Sequence, residues 1–178
     1  VVWHTQDSLE YMKKCKNDKF DLVLADPPYS QMDLINSSIK EARRICKGPS
    51  IYFMYPEDCV SLEICPDQIC HWVKPISTKN TKRRYSRFVE AICFYDLDSF
   101  SNMLHWSARS GVFTDSLITV STHPFQKPES LIEKLLLNHS SEGDLILDPF
   151  AGSGTVSHVC ARLDRRVVSV ELDSQWRP

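Results

Sequence analysis

Several ordinary signatures are missing from this 178-residue sequence. Positive charge is not in excess: 21 Lys and Arg stand against 23 Asp and Glu, a formal charge of −2. That balance excludes a histone-like or polybasic chain, though not a local basic patch. No apolar run approaches the roughly 18 residues of a membrane span. No charged n-region leads into an apolar stretch, so neither a membrane contact nor a signal peptide is expected. The seven cysteines include no CxxC pair, and reduced thiols in a cytosol-like compartment are expected. Cys59, Cys65, Cys70 and His71 lack the short spacings of a zinc knuckle, so no metal site is expected. There is no internal repeat, no low-complexity tract and no linker. Residues 1–178 therefore read as one domain. The sequence opens on Val1 rather than Met and stops soon after a strand-like run, so both ends read as the edges of a fragment.

What is present is a globular composition, with 42% hydrophobic and 25% charged residues, enough for one sizeable core. Val1 to Thr5 is β-prone, and Ser8 to Cys15 has helical spacing with Leu9 and Met12 on one side. Phe20 to Ala25 reads as a buried strand stopped by Asp26-Pro27-Pro28-Tyr29. Leu34 to Lys47 is an amphipathic helix ended by Gly48-Pro49. Ile51 to Tyr55, Ile69 to Lys74 and Phe88 to Tyr95 read as strands. The last two are joined by a basic, polar stretch that predicts a long hairpin. A helix opens at Lys127-Pro128-Glu129, with Pro at its first position. Leu145 to Leu147 is a strand running into a Gly-rich turn and a helix to about Arg162, and Val167 to Val170 is a strand ending at Glu171. Apolar strands alternating with helices predict an α/β fold with a mostly parallel sheet.

Two strand ends carry chemistry. Asp148-Pro149-Phe150-Ala151-Gly152-Ser153-Gly154-Thr155 stands between strand and helix, where glycines permit a tight turn and close approach of a ligand to the backbone. Glu171 follows Gly152 by 19 positions, at the end of the next strand, where an α/β nucleotide site places an acid on the ribose hydroxyls. No Gly-Lys-Ser/Thr follows and the third Gly of GxGxxG is missing, so a nucleoside without phosphates fits better than a phosphate ligand. At the other strand end, Pro27 and Pro28 stiffen the backbone. They leave a carboxylate, a free carbonyl at Pro27 and an aromatic ring. Asp26 and that carbonyl suit the two hydrogens of one amino group, and Tyr29 suits stacking on the ring that bears it, worth roughly 1–3 kcal/mol per base.

These residues resemble a family. Asp26-Pro27-Pro28-Tyr29 resembles the catalytic motif of S-adenosylmethionine-dependent amino-methyltransferases that act on adenine N6 or cytosine N4. Asp148 to Thr155 resembles their cofactor motif, and His123 to Pro128 is similar to the segment before their first helix, with Phe125 where members commonly have Thr. The catalytic motif precedes the cofactor motif, as in the permuted β-class of DNA amino-methyltransferases. Val1 to Asp7 is similar to the strand and acid that begin β-class enzymes, with Gln6 where Gly is usual. The resemblance implies a Rossmann-like methyltransferase fold, a mostly parallel seven-stranded sheet with an antiparallel edge hairpin.

The resemblance also implies roles. Asp26, Pro27, Pro28 and Tyr29 would form the catalytic ledge, with Asp26 and Pro27 holding the amine and Tyr29 stacking on a flipped base. Asp148, Phe150, Ala151, Gly152, Ser153, Gly154 and Thr155, with Lys127, would hold S-adenosylmethionine, Glu171 would take its ribose, and Asp7 would lie near its adenine. Residues at about 96–122 would form a short target-recognition insert, with Trp106 and Phe113 as candidate stacking residues. Read from its charge, the dense basic run Lys79, Lys82, Arg83, Arg84 and Arg87 is either a solvated hairpin tip or a contact with the phosphates of double-stranded DNA, and phosphate contact is the expectation carried forward. Asp rather than Ser at the head of the motif favours adenine. Cytosine-N4 transfer, RNA adenine methylation and a catalytically silent nucleic-acid-binding paralogue are the competing readings. A homodimer and the cytoplasm of a bacterial or phage-infected cell complete the expectation.

Overall fold

A computed structural model of the chain describes residues 1–74, 88–99, 110–114 and 126–176. Eight strands form one sheet: β1 (Val2–Thr5), β2 (Leu22–Ala25), β3 (Ser50–Met54), β4 (Gln68–Val73), β5 (Val89–Tyr95), β6 (Val112–Phe113), β7 (Leu145–Asp148) and β8 (Arg166–Glu171). Their order across the sheet is β1-β8-β7-β2-β3-β5-β4-β6. Four helices pack on it: α1 (Ser8–Lys14), α2 (Met32–Ile45), α3 (Glu129–His139) and α4 (Thr155–Arg162).

The central strands β2 and β3 are buried at every position because both faces are covered. Alternate side chains divide the core in two. Val23, Ala25, Tyr52, Met54, Ala91 and Cys93 join α1 and α2 on one face. Leu22, Leu24, Ile51, Phe53, Trp72, Ile92 and Phe94 join α3 and α4 on the other. Period-2 alternation thus decides which helices each strand residue meets.

Three expectations are corrected. In α1, Tyr11 rather than Leu9 joins Met12 in the core, because the sheet-facing stripe is turned by one position. Pro128 is the cap residue of α3 and not its first residue: its ψ of 133° is extended and the helix begins at Glu129. The expected antiparallel hairpin is β4–β5, but only β5 opposes the sheet direction. It runs antiparallel to both β3 and β4, while the two-residue β6 pairs parallel with β4 and lies outside the hairpin. The sheet therefore has eight strands among the described residues instead of seven. Phe113, on β6, packs against the α3–α4 core and is half-buried, so it is a packing residue and not an exposed wedge. Trp106 lies outside the described residues.

The turn from α2 into β3 brings two backbones together. A Cβ on Gly48 would stand 2.0 Å from the Asp21 carbonyl oxygen, a backbone atom that cannot swing aside. Asp21 is fixed from two sides, since its Oδ2 accepts from Leu145 N at 2.8 Å and its Oδ1 pairs with Lys47 at 2.8 Å. Gly48→Ala is expected to destabilise the protein by about 1–3 kcal/mol, the usual range for overpacking, read as a lower urea midpoint with an unchanged slope.

Candidate active site

The carboxyl ends of β2 and β7 lie side by side. These strands pair in parallel, with Leu22 opposite Ile146 and Val23 opposite Leu147. β2 runs directly into Asp26, and β7 runs directly into the Gly-rich turn. The two motifs singled out in the sequence thus stand at neighbouring positions on one edge of the sheet, the edge at which open α/β sheets bind ligands.

The Gly-rich turn is held from both directions. Gly152 (φ 49°) and Gly154 (φ 81°) adopt left-handed backbone conformations that residues with a Cβ disfavour. Ala151 N donates to Val170 O at 3.0 Å, and Gly152 N donates to Glu171 Oε2 at 2.7 Å. The other Glu171 oxygen accepts from Asp173 N at 3.0 Å. Both oxygens of that carboxylate keep further lone pairs for hydroxyl donors. Asp148 is buried, with Oδ1 accepting a 3.4 Å bond from Phe150 N. Burial holds its carboxyl well above the usual range, with the Phe150 amide acting against the rise. Thr155 opens α4 directly behind the turn, and Phe150 and Ser153 are partly exposed at its front. Asp7 caps α1 by accepting from Glu10 N at 2.8 Å. Next to it, Ser8 Oγ donates to the Pro149 carbonyl, and Gln6 N donates to Glu171 O at 3.1 Å. These bonds bring the Asp7 loop to the same edge of the sheet.

The ledge at Asp26 is a charged corner on the α3 face. Lys127 Nζ lies 2.5 Å from Asp26 Oδ2 and 3.5 Å from Glu90 Oε2. Tyr29 OH donates to Glu90 Oε2 at 2.7 Å, and Lys74 Nζ pairs with Glu90 Oε1. The side chains of Lys74, Glu90 and Lys127 are 7–8% exposed, whereas Asp26 keeps 28% of its surface open. Asp26 Oδ1 has no hydrogen-bond partner among the described residues. Burial raises the Asp26 carboxyl above its ordinary value; Lys127 opposes that rise and the Glu90 charge adds to it. Burial alone would raise Glu90 too, but Lys127 and Lys74 outweigh it and hold Glu90 below the usual range. Lys127 sits above its ordinary value, because Asp26 and Glu90 overcome the effect of burial. The Tyr29 hydroxyl is pushed well up by burial, and then by both carboxylates.

Sequence reasoning named Asp26 and Tyr29 at this corner and expected Lys127 with the cofactor residues, whereas the structure sets Lys127 on Asp26; it did not name Glu90, Lys74, Tyr55 and Asp58. The signal for Glu90 and Lys74 was a charged residue near the mouth of each strand of the hairpin, Lys74 just after β4 and Glu90 within β5. Glu90 faces Trp72 across β4–β5, and Lys74 N donates to Phe88 O at 2.7 Å, so alternation puts Trp72, Lys74 and Glu90 on one face. Tyr55 packs edge-on against Tyr29, with ring centroids 4.5 Å apart. Asp58 sits in a single 3₁₀ turn (Pro56–Ser61) and accepts from Ser30 N at 3.0 Å. Ser30 has a φ of 66°, which sets the sharp exit from the ledge. The five basic residues expected on phosphates, Lys79, Lys82, Arg83, Arg84 and Arg87, lie outside the described residues. So do 100–109 and 115–122 of the expected recognition insert.

Comparisons with known proteins agree with this geometry. The family N6_N4_Mtase, described as DNA methylase, matches residues 70–177. Type II methyltransferase M2.DpnII of Streptococcus pneumoniae is 26% identical over 226 aligned residues, covering 96% of this chain and 84% of that protein. DNA adenine methyltransferase YhdJ of Escherichia coli is 43% identical over 54 residues, which span 30% of this chain but only 18% of the relative. The crystal structure of an M1.HpyAVI–SAM complex superposes with a TM-score of 0.80 at 21% identity, covering 98% of this chain and 95% of that one. The cytosine-N4-specific PvuII DNA methyltransferase superposes with a TM-score of 0.82 at 16% identity, covering 98% and 82%. The fold is the Rossmann-like α/β fold of S-adenosylmethionine-dependent methyltransferases. The chain belongs to the N6/N4 family of DNA methylases.

Asp58 holds the exit of the ledge from a neighbouring element. Asp58→Ala is expected to cost about 1.5–3 kcal/mol, the range for a hydrogen bond to a charged group, measured by urea unfolding. Adding Ser30→Gly is expected to restore part of that loss, because glycine adopts the positive φ without strain.

Proposed function

Starting from membership of the DNA methylase family, we propose that this chain transfers the methyl group of S-adenosylmethionine to the N6 amine of an adenine turned out of duplex DNA. One observation carries the reading: the acidic-aromatic ledge and the Gly-rich turn stand at the ends of hydrogen-bonded neighbouring strands. The turn suits the cofactor. Its two left-handed glycines leave the backbone open to a ligand, and Glu171 has acceptor capacity for ribose hydroxyls at its side. When bound, S-adenosylmethionine supplies an electrophilic methyl group.

The chain's own residues supply orientation and charge. An exocyclic amine is a weak nucleophile because its lone pair is delocalised into the ring. Two acceptors, Asp26 and the Pro27 carbonyl, draw both N–H bonds to one side and aim the lone pair at the methyl carbon. The Asp26 carboxylate also stabilises positive charge growing on the nitrogen in a site shielded from water. Tyr29 offers a ring for the base, and Glu90 and Tyr55 fix that ring from two directions. Asp148, Phe150 and Thr155 shape the turn. Lys127 is the cation for the amino-acid end of the cofactor, and Asp7 lies on its adenine side.

The choice of adenine rests on Asp at the head of the motif and on likeness to a relative named as an adenine methyltransferase. Cytosine-N4 transfer is its competitor, and nucleoside analysis of methylated product DNA separates the two. The basic stretch of Lys79, Lys82, Arg83, Arg84 and Arg87 is assigned to DNA phosphates, and 96–122 to target choice. A homodimer and a bacterial cytoplasm belong to the same reading. No described helix is long and apolar enough to cross a membrane.

Asp26→Ala is expected to lower methyl transfer to DNA by at least about 10³-fold, in line with loss of an electrostatic stabiliser. Calorimetry is expected to show S-adenosylmethionine binding retained, with an affinity no weaker than that of the wild type. Equal turnover by the variant would overturn the mechanism. The pH profile has a defined sign. Asp26 accepts from the amine only when ionised, and its carboxyl lies above the ordinary aspartate value. The acid limb of kcat/KM is therefore expected above the roughly 3.9 of a free aspartate, with activity present above that limb and lost below it.

A further inference from the structure

Lys127 already makes both contacts that a target amine would need. Its ammonium lies 2.5 Å from Asp26 Oδ2 and 5.3 Å from the centroid of the Tyr29 ring. Asp26 Oδ1 is buried and unpartnered among the described residues, so the oxygen that an amino group entering from outside reaches is Oδ2, the one the ammonium already holds. The ammonium is well kept there, since the Phe53 ring lies 5.1 Å away and the lysine side chain is 8% exposed. A second acceptor is close by, because Glu90 Oε2 stands 3.5 Å from the same nitrogen. Glu90 is itself anchored by Lys74 and by Tyr29 OH, so it is a fixed alternative partner for the lysine.

We infer that Lys127 is a positioning residue that fills the amine seat of the ligand-free site and is drawn off Asp26 by the carboxylate of the cofactor's amino-acid end, keeping Glu90 as its protein partner, so that the base is held only after the cofactor. This rests on the reading of Asp26 and Tyr29 as the base pocket. A cation suits that carboxylate, because the acids Asp26 and Glu171 already stand along this edge. Of the two buried lysines at the corner, Lys127 touches Asp26, while Lys74 pairs with Glu90 and lies over the Trp72 ring. A lysine shared between Asp26 and the cofactor carboxylate couples the two sites. Drawing it off one partner exposes that partner's acceptor oxygen to the next donor.

The test uses two duplexes that differ by one amino group. One carries a single adenine opposite an abasic site, and the other carries purine, with hydrogen at position 6, in its place. Fluorescence anisotropy gives the affinity of the whole protein for each, and their ratio reads the amine seat alone. Without ligand the wild-type ratio is expected near 1. With S-adenosylhomocysteine, which bears the carboxylate, it is expected to rise at least about fivefold, as for a site built around one hydrogen-bonded group. With 5′-methylthioadenosine, which lacks the carboxylate, it is expected to stay near 1. Lys127→Met is expected to raise the ratio without any ligand; the three wild-type arms decide the matter should that variant not fold. A ligand-free wild-type ratio equal to the loaded one overturns the inference while leaving the base pocket intact. So does a full rise with methylthioadenosine, or a folded Lys127→Met with a ratio near 1. A ratio near 1 in every arm, S-adenosylhomocysteine included, overturns the base-pocket reading and this inference with it.

Discussion

Two carboxylates and two ammonium groups, Asp26 and Glu90 with Lys74 and Lys127, meet at the mouth of the sheet, and the active-site corner depends on their balance. A buried charge is tolerated only when it is paired and hydrogen-bonded, and deleting one member of such a pair commonly costs about 3–5 kcal/mol. Here the four charges come from three places in the chain: Asp26 from the end of β2, Lys74 and Glu90 from the β4–β5 hairpin, and Lys127 from the entry to α3. Pairing them locks three pieces of structure around one point. The reversed strand β5 acquires a purpose in this light, because it brings Glu90 to the carboxyl end of β3, beside Tyr29.

The corner also governs the charge of one aspartate. Burial works against that charge and raises the Asp26 carboxyl. Lys127 counters that effect, and Glu90, anchored by its own lysine, keeps the count of charges even. Tyr29 is restrained by a hydrogen bond at its hydroxyl and by the edge of Tyr55 at its ring, so the protein itself fixes the orientation of that ring. Preset donors, acceptors and rings spare the reaction the cost of arranging them, the usual source of enzymatic electrostatic advantage.

Much of this was legible in the residues and their order. Uninterrupted apolar runs at β2 and β3, the Gly-rich turn after β7 and the acid at the end of β8 gave the parallel sheet and the edge on which to look. The motif order gave the family. Partners that depend on long-range register were not legible. Glu90 and Lys74 are single charges in strand sequences, and only the β4–β5 pairing shows that they share a face. Asp58 looked like one acid among several near Pro56 and became meaningful only through the positive φ of Ser30. The Tyr11-for-Leu9 exchange in α1 shows the same limit on a smaller scale, because a short helix carries too few residues to fix its rotation by periodicity alone.

The adjacency of β2 and β7 has a consequence for how the molecule comes into being. Asp21, just before β2, bonds Leu145 across a sequence separation of 124 residues, and β2 lies at the middle of the sheet. A chain growing from its amino end therefore makes the acidic ledge long before it makes the strand that closes beside it. The β2–β7 pairing must wait for a strand far later in the sequence, a topology that slows folding and leaves one apolar flank of β2 open to misassociation meanwhile. Aggregation of the nascent polypeptide, more than loss of chemistry, is thus the hazard that this arrangement of motifs brings with it.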